Sequence, residues 1–261
     1  MSNATHEIRQ KINVCVFISG RGSNLKAILE ACENPNFPAR VSCIVSNKPD
    51  AGGLEYAQQY KIPFAVISHK EFTNKNDFEQ GILDALTHEP IDLICLAGFM
   101  RILSPYFLTR WGDNIINIHP SLLPKYKGLD THARAIEAGD AKTGCTVHYV
   151  IPEMDAGEII LQRSIEITKK DTAETLAQRL LSEEHFAYPE AIKVVVEQKF
   201  TQHHEPKLGS SSTNTAQGKQ DMTDKELLNG HKAMWAAFTN TMKFGTISII
   251  VLLLLMALFL L

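Results

Sequence analysis

Residues 13–25, NVCVFISGRGSNL, indicate the fold class of the first half of the chain. The first seven of them form an apolar run of strand length, and the remainder is a glycine-rich turn that enters a helical segment. Backbone N–H groups in such a turn, together with the positive end of the helix, are suited to hold a phosphate. The pattern predicts a strand, a ligand-binding turn and a helix as the first unit of an α/β fold.

The turn itself permits two interpretations. Gly20 and Gly22 would suit a dinucleotide fingerprint, but Leu25 stands where that pattern needs its third glycine. Ser23 and Asn24 are either donors to a bound phosphate or only a pair of residues that cap the helix. The residues alone favour phosphate without excluding capping.

The alternation of apolar runs and amphipathic segments continues to about residue 198 and predicts an α/β domain over residues 12–198. Predicted strands are 13–19, 41–46, 64–67, 93–97 and 115–118, and predicted helices are 24–33, 52–60 and 74–88. Such a pattern is typical of a doubly wound, mostly parallel sheet with flanking helices, whose ligands bind beyond the carboxyl ends of the strands. Two extended segments, 144–150 and 158–167, and a closing helix at 172–197 complete the prediction.

Composition narrows the classes of function. A formal net charge of -3 gives no global basic field, so nucleic acid is not expected as a partner, whereas a small phosphorylated ligand is compatible. The five cysteines form no CxxC motif and are expected to be reduced, in a cytosolic compartment. No metal is expected, because four of the histidines are too scattered, and lack the cysteines or paired acidic residues, to form a zinc site; they are His119, His132, His148 and His185.

The segment 115–124, IINIHPSLLP, carries the strongest sign of chemistry. Residues two apart share one face of a strand, so Asn117 and His119 should point into one site. An amide donor for a developing oxyanion and an imidazole for proton transfer are what acyl transfer requires. Asp155, on a predicted turn at 155–157, would place a carboxylate beside His119. A hydrogen-bonded core histidine and an ordinary Asp-Ala-Gly turn remain the alternatives.

Five runs together resemble the glycinamide ribonucleotide formyltransferase (phosphoribosylglycinamide formyltransferase) family over about residues 12–198. They are VFISGRGSNL, CLAGFMRILS, NIHPSLLPKYKGLDTH, GCTVHYVIPEMDAGEIILQR and EEHFAYPEAI. The resemblance implies an enzyme of purine (IMP) biosynthesis that transfers the formyl group of 10-formyltetrahydrofolate, a co-substrate, to the amine of glycinamide ribonucleotide without a metal.

The same resemblance implies roles for individual residues. Asn117 would polarise the formyl carbonyl, His119 would act as general acid, and Asp155 would orient His119. The residues implied for ribonucleotide binding are Gly22, Ser23, Asn24, Gly98 and Glu184. Those implied for folate binding are Lys75, Met100, Arg101, Ile102, Leu103 and Asn117. Lys75 stands where the family often has arginine, which keeps the charge but loses the planar fork.

Three other functions remain open at this stage. A formyltetrahydrofolate deformylase shares the Asn, His and Asp set but hydrolyses its substrate. Methionyl-tRNA formyltransferase is a related transferase with an additional nucleic-acid-binding barrel. A membrane-tethered module that binds folate or nucleotide without turnover is the alternative outside enzymes.

The remaining segments have a different composition. Residues 1–11 are predicted to be disordered, and 199–221, rich in polar residues, to be a flexible linker. Residues 222–243 are predicted to be a juxtamembrane helical segment, and the uncharged apolar run 244–261 is predicted to be a transmembrane helix. Lysines before that run favour a cytoplasmic location for its N-terminal side. The run itself would then anchor the catalytic domain to the inner membrane.

This tail also resembles the single-span subunit IV of bacterial aa3-type cytochrome c oxidase. The resemblance implies membrane lipid and respiratory-oxidase subunits as partners. Either the chain is a genuine fusion, or two adjacent genes have been joined, with Met222 as the start of the second.

Overall fold

The computed structural model describes residues 11–87 and 89–200, which form one α/β domain. Its strands are β1 Ile12–Ile18, β2 Ala39–Ser46, β3 Phe64–Val66, β4 Leu93–Leu96, β5 Ile115–His119, β6 Lys142–Tyr149 and β7 Ile159–Glu166. Its helices are α1 Ser23–Cys32, α2 Leu54–Gln59, α3 Lys75–Leu86, α4 Pro105–Trp111, α5 Thr131–Glu137 and α6 Ala173–Phe200, with a short 3-10 turn at His69–Glu71.

All seven strands belong to one sheet, in the order β3-β2-β1-β4-β5-β6-β7. Strands β1 to β5 pair in parallel, whereas β6 is antiparallel to both β5 and β7. From β1 the chain winds outward through β2 and β3 and then returns to β4 on the other side of β1. The prediction of a doubly wound, mostly parallel sheet is therefore confirmed.

Alternate side chains of the central strands pack into two separate apolar cores, one on each face of the sheet. In β1, Val14 and Val16 pack on the face covered by α1 and α6, whereas Cys15 and Phe17 pack on the face covered by α3 and α4. All four side chains are fully buried. Burial on both faces explains why β1 reads as a continuous apolar run rather than as an alternating one.

Helix α6 is tied to the centre of the sheet by a polar contact inside the apolar core. The Tyr188 hydroxyl is fully buried and donates to the Leu96 carbonyl oxygen at 2.9 Å. The same hydroxyl oxygen lies 3.2 Å from the Ile116 carbonyl oxygen. Leu96 is the last residue of β4, and Ile116 is the second residue of β5, opposite Cys95 in the parallel pairing. Glu184, one helical turn before Tyr188, is thereby held above the carboxyl edge of the sheet.

Two helices of the structure, α4 and α5, were not predicted from the sequence. Each has only seven residues, too few for the apolar periodicity that identifies a helix. Capping signals do mark α4, because Ser104 accepts a hydrogen bond from the Phe107 N–H and Pro105 occupies the first turn. Helix α6 ends at Phe200, two residues into the segment predicted as a linker.

Several predicted segments lie outside the described residues. They are the N-terminal residues 1–10, the linker from 201 onward, the juxtamembrane segment 222–243 and the apolar run 244–261. Within 11–87 and 89–200, no helix is both long and apolar enough to cross a membrane.

Candidate active site

The carboxyl ends of β1, β4 and β5 converge where the winding of the sheet reverses, between β1 and β4. The Ser19 hydroxyl oxygen, at the end of β1, accepts a hydrogen bond from the Met100 backbone N–H at 2.8 Å. It also donates to the side-chain oxygen of Asn47, beyond the end of β2, at 2.5 Å. The glycine-rich turn and the segment after β4 therefore flank one crevice, in the position where this class of sheet binds ligands.

The glycine-rich turn depends on a close approach between two backbones. Gly22 has φ 75°, and a Cβ atom at this position would lie 2.5 Å from the Cα of Gly53. Helix α1 begins at Ser23, with Gly22 at the N-cap position, and no side chain within the described part of the chain caps it. The capping interpretation of Ser23 and Asn24 is therefore wrong, and among the described residues no side chain caps the first N–H groups of the helix.

Asn24 and Glu184, predicted from distant parts of the sequence to bind one substrate, are in direct contact. The Asn24 amide nitrogen donates to a Glu184 carboxylate oxygen at 2.8 Å, and both residues are buried. Burial raises the pKa of Glu184, and the hydrogen bond from Asn24 opposes that rise. The other amide atom of Asn24, its Oδ1, is buried and accepts no hydrogen bond from any described residue. A buried acceptor without a donor is a natural place for a ligand hydroxyl or amine.

Asn117 is oriented by a histidine on the neighbouring strand. His148 lies opposite Asn117 in the pairing of β5 with β6, and its Nε2 is 3.3 Å from the Asn117 amide nitrogen. The His148 Nδ1 lies 2.8 Å from the Tyr149 carbonyl oxygen, which only accepts, so Nδ1 carries the proton of the neutral ring. Nε2 is then the acceptor, and one N–H of the Asn117 amide donates to it. The other N–H of the amide can donate to a ligand.

The surroundings of His148 favour its neutral form. Burial lowers the pKa of His148, and the nearby His119 lowers it further. The Tyr149 carbonyl and the Asp155 carboxylate act in the opposite direction, and burial prevails. His148 therefore stays an acceptor for Asn117 near neutral pH.

His119 faces an acceptor at each ring nitrogen. Its Nε2 lies 2.9 Å from the Tyr126 carbonyl oxygen, and its Nδ1 lies 3.4 Å from the nearer carboxylate oxygen of Asp155. The side chain of His119 is only 7% exposed and that of Asp155 only 11%. Both N–H groups of an imidazolium would find an acceptor here, so the site suits a histidine that stores and delivers a proton.

A strained turn fixes the position of Asp155. This residue has φ 49°, and its carboxylate accepts a hydrogen bond from the Gly128 N–H at 2.8 Å. A Cβ atom at Gly157 would lie 1.7 Å from the Tyr149 carbonyl oxygen, so only glycine fits at this position of the turn. The alternative of an ordinary surface turn does not fit, because both the backbone and the carboxylate are held by specific contacts.

The segment 98–103 presents an apolar surface beside the crevice. Met100 and Ile102 are 62% and 64% exposed, which is unusual for such side chains, whereas Leu103 is buried in the core beneath them. Gly98 has φ 73° and begins this segment, and Arg101 is exposed.

Lys75, the least similar of the predicted folate residues, stands on α3. Its Nζ lies 4.0 Å from the carboxylate of the fully buried Glu79. Glu79 in turn accepts a hydrogen bond from the Ser104 backbone N–H at 2.7 Å and is also bonded to the Ser104 hydroxyl. Lys75 is thereby brought to the end of the exposed segment that carries Met100 and Ile102.

Sequence reasoning missed three contributors to the site. His148 lies on the predicted extended segment 144–150, but its contact with Asn117 depends on the pairing of β6 with β5, which the sequence does not specify. Tyr126 and Gly128 act through backbone atoms, which their side chains do not reveal. No group of three or more His, Cys, Asp or Glu side chains within 11–87 and 89–200 is arranged to hold a metal ion.

Comparison with known proteins agrees with this geometry. The family model described as formyl transferase matches residues 12–192. The chain is 47% identical over 180 residues to phosphoribosylglycinamide formyltransferase of Haemophilus influenzae, covering 69% of this chain and 85% of the relative. The crystal structure of phosphoribosylglycinamide formyltransferase from Brucella melitensis is 43% identical, with a TM-score of 0.68, over 77% of this chain and 100% of that one.

A larger relative contains the same region as one part. The chain is 44% identical over 187 residues to the human trifunctional purine biosynthetic protein adenosine-3, covering 72% of this chain but only 18% of that protein. The similarity to this relative therefore concerns a fraction of its length.

Proposed function

Because the chain belongs to the formyl transferase family, we propose that it transfers the formyl group of 10-formyltetrahydrofolate to the amine of glycinamide ribonucleotide. The contact that best supports this function is the pairing of His119 with Asp155 beside Asn117, at the edge of the sheet where the substrates would meet. The reaction belongs to purine biosynthesis, which is the process named for the human relative.

The mechanism we propose is a direct transfer through a tetrahedral intermediate. The neutral amine of the ribonucleotide attacks the formyl carbon, a C–N bond forms, and the carbonyl electron pair moves onto oxygen. The free N–H of Asn117 donates to that oxyanion, and the positive charge of a protonated His119 adds electrostatic stabilisation. The carbonyl then re-forms, the bond to N10 of the folate breaks, and N10 takes up a proton as the new amide nitrogen loses one. Asp155 orients His119 throughout.

Each substrate has a proposed place. The ribonucleotide phosphate lies at Gly22, Ser23 and Asn24, against the start of α1. Glu184 and the unsatisfied Oδ1 of Asn24 hold its ribose or glycinamide end, near Gly98. The folate pterin packs on the exposed segment formed by Met100, Arg101, Ile102 and Leu103, with Lys75 near its charged end. This arrangement brings the formyl group between the two substrates, above Asn117.

A product assay tests this function. Purified protein is supplied with 10-formyltetrahydrofolate labelled in the formyl carbon, with and without glycinamide ribonucleotide, and the label is recovered as formylated ribonucleotide or as formate. Label appearing in the ribonucleotide, and only when the ribonucleotide is present, supports the transfer. Release of formate at the same rate without the ribonucleotide would instead make the protein a deformylase, and binding without release of label would make it a binding module.

For the tail, we propose that residues 244–261 anchor a cytoplasmic catalytic domain to the inner membrane. The uncharged apolar run and the lysines that precede it support this proposal. Oxidase subunits as further partners rest on the resemblance of residues 222–261 alone. Fractionation of native cells, followed by a blot with an antibody to the catalytic domain, tests the anchor. A full-length species in the membrane fraction supports it, whereas a soluble species of only about 220 residues would show that the tail is absent from the working enzyme.

A further inference from the structure

The loop between β5 and α5 touches both members of the His119 and Asp155 pair through its backbone. The Tyr126 carbonyl oxygen accepts from His119 Nε2 at 2.9 Å, and the Gly128 N–H donates to the Asp155 carboxylate at 2.8 Å. These two backbone groups lie only two residues apart. The conformation of residues 126–128 therefore fixes how His119 and Asp155 stand relative to one another.

That conformation is one that the chain would not adopt without help. Tyr126 has φ 56°, in the left-handed region that costs a residue with a side chain about 1–2 kcal/mol. A cavity of about 470 Å³ lies beside the loop and is lined in part by Lys125, Tyr126 and Asp140. Close packing therefore does not hold this side of the loop, and polar contacts must do so.

Asp140, which follows α5, supplies the first of these contacts. Its carboxylate accepts from the Tyr126 hydroxyl at 2.8 Å and lies 3.0 Å from the Lys125 ammonium through both oxygens. The Lys125 pair is exposed to solvent, with the lysine side chain 63% accessible, and contributes little on its own. The bond to Tyr126 is better shielded, and it acts on the residue whose carbonyl holds His119.

Arg134, within α5, supplies the second contact. Its guanidinium donates to the carbonyl oxygens of Lys127 and Leu129 at 2.8 and 3.2 Å, on either side of Gly128. The same group stacks 5.3 Å from the centre of the Tyr126 ring. A planar guanidinium is suited to this combination of two acceptors and one ring, which a lysine would not satisfy.

We propose that Asp140 and Arg134 are positioning residues for the reaction, acting as a clamp on residues 126–128 that sets the geometry of His119 and Asp155. Neither residue is among those proposed above to bind a substrate. The proposal rests on the function proposed above for His119 and Asp155, and it adds that α5, together with the residue three positions beyond it, is part of the catalytic apparatus rather than a connection between two strands.

The test compares Asp140→Asn, Tyr126→Phe and Arg134→Gln with Asp171→Asn, a matched control. Asp171 also forms an ion pair with an arginine, Arg179, but at the start of α6, far from the loop along the chain. The ¹⁵N chemical shifts of the His119 ring report which nitrogen carries the proton, and a merely structural role for the clamp would leave them unchanged. Steady-state kinetics and thermal unfolding are measured on the same proteins.

We expect the wild type and Asp171→Asn to show the same sharp His119 ring signals, because both keep the Tyr126 carbonyl at Nε2 and the Asp155 carboxylate at Nδ1. The three clamp variants should show shifted or exchange-broadened ring signals, with kcat lowered about tenfold and each KM changed by less than about twofold, because geometry is lost but binding is not. Tyr126→Phe combined with Asp140→Asn should cost little more than Tyr126→Phe alone, since Tyr126→Phe removes the same hydrogen bond that Asp140→Asn weakens by removing the charge of the acceptor.

Unchanged His119 ring signals in Tyr126→Phe and Arg134→Gln would overturn the clamp, whatever the activity. Tyr126→Phe keeps the ring and the backbone carbonyl, so it remains informative if Asp140→Asn does not fold. The spectra require no turnover. If the wild type transfers no formyl group, the proposed function fails and the spectra still decide whether the clamp exists.

Discussion

The Asn117 amide nitrogen lies 3.3 Å from Nε2 of His148, directly across the pairing of β5 with β6. The Tyr149 carbonyl holds the proton of His148 on Nδ1, so Nε2 remains an acceptor and selects one orientation of the Asn117 amide. A strand pair thus presents a donor to the crevice at a defined angle. Such preorganised donors are the main source of oxyanion stabilisation in acyl transfer.

Replacing His148 by leucine should impair turnover without impairing binding. The Asn117 amide would lose its acceptor and rotate, so its free N–H would no longer face the formyl oxygen. We expect kcat to fall about 10- to 100-fold, somewhat less than the loss on removing an oxyanion donor altogether. Steady-state kinetics on both substrates measure this. A variant with wild-type kcat would show that Asn117 needs no partner on β6.

The lowered pKa of His148 also predicts how the stability of the protein depends on pH. Burial lowers its pKa in the folded protein relative to the unfolded chain, so the unfolded state binds more protons as pH falls below about 6.5. Its contribution to stability is present above that pH and is lost as pH falls toward its folded pKa. The melting temperature of the wild type should therefore drop between about pH 7 and 5 more steeply than that of His148→Gln. Equal slopes would contradict the buried neutral histidine.

Glu184 and Glu183 are adjacent in α6 but should behave differently. Glu184 is buried against Asn24, whereas Glu183 pairs with Arg163 at the surface. We expect Glu184→Ala to raise the KM for glycinamide ribonucleotide about tenfold or more, because a buried polar site loses its acceptor, with the folate KM unchanged. Glu183→Ala is the control and should alter neither constant by more than about twofold. A similar effect of both substitutions would remove Glu184 from the ribonucleotide site.

Gly157 should tolerate no side chain. A Cβ there would lie 1.7 Å from the Tyr149 carbonyl oxygen, so the turn would have to move and carry Asp155 with it. Gly157→Ala should lower the free energy of unfolding by more than about 2 kcal/mol and reduce kcat as well. Gly139→Ala is the control, because Gly139 has φ 67° with nothing within 4 Å of the added Cβ, so only backbone strain of about 1–2 kcal/mol is expected. Denaturant unfolding of both variants gives the comparison, and equal losses would argue against the close contact.

The sequence was most informative where side chains carry the signal. The apolar run 13–19 and its glycine turn predicted β1 and the start of α1, and the shared face of Asn117 and His119 followed from strand periodicity alone. Their proximity to Asp155 required the resemblance to a family, because nothing local indicates that the β6–β7 turn folds back toward β5. The structure supplies the reason in the contact between the Asp155 carboxylate and the Gly128 N–H.

Backbone contacts and short helices were beyond sequence reasoning. The Tyr126 carbonyl that faces His119 is a group that every residue possesses, so no residue type marks it. Helix α5, seven residues long, was missed because its apolar positions span too few turns to show a period. Arg134 and Asp140, whose contacts form the proposed clamp, belong to that same region.

Single-turnover formyl transfer measures whether His119 takes part in the chemical step. Wild type and His119→Ala are mixed with saturating 10-formyltetrahydrofolate and glycinamide ribonucleotide, and formylated ribonucleotide is followed with time, while binding of each substrate is measured separately. We predict a rate constant at least about 100-fold lower for His119→Ala, with both affinities within about threefold of wild type, as expected for loss of a general acid. Transfer by His119→Ala at a rate within about twofold of wild type would show that His119 is not the general acid.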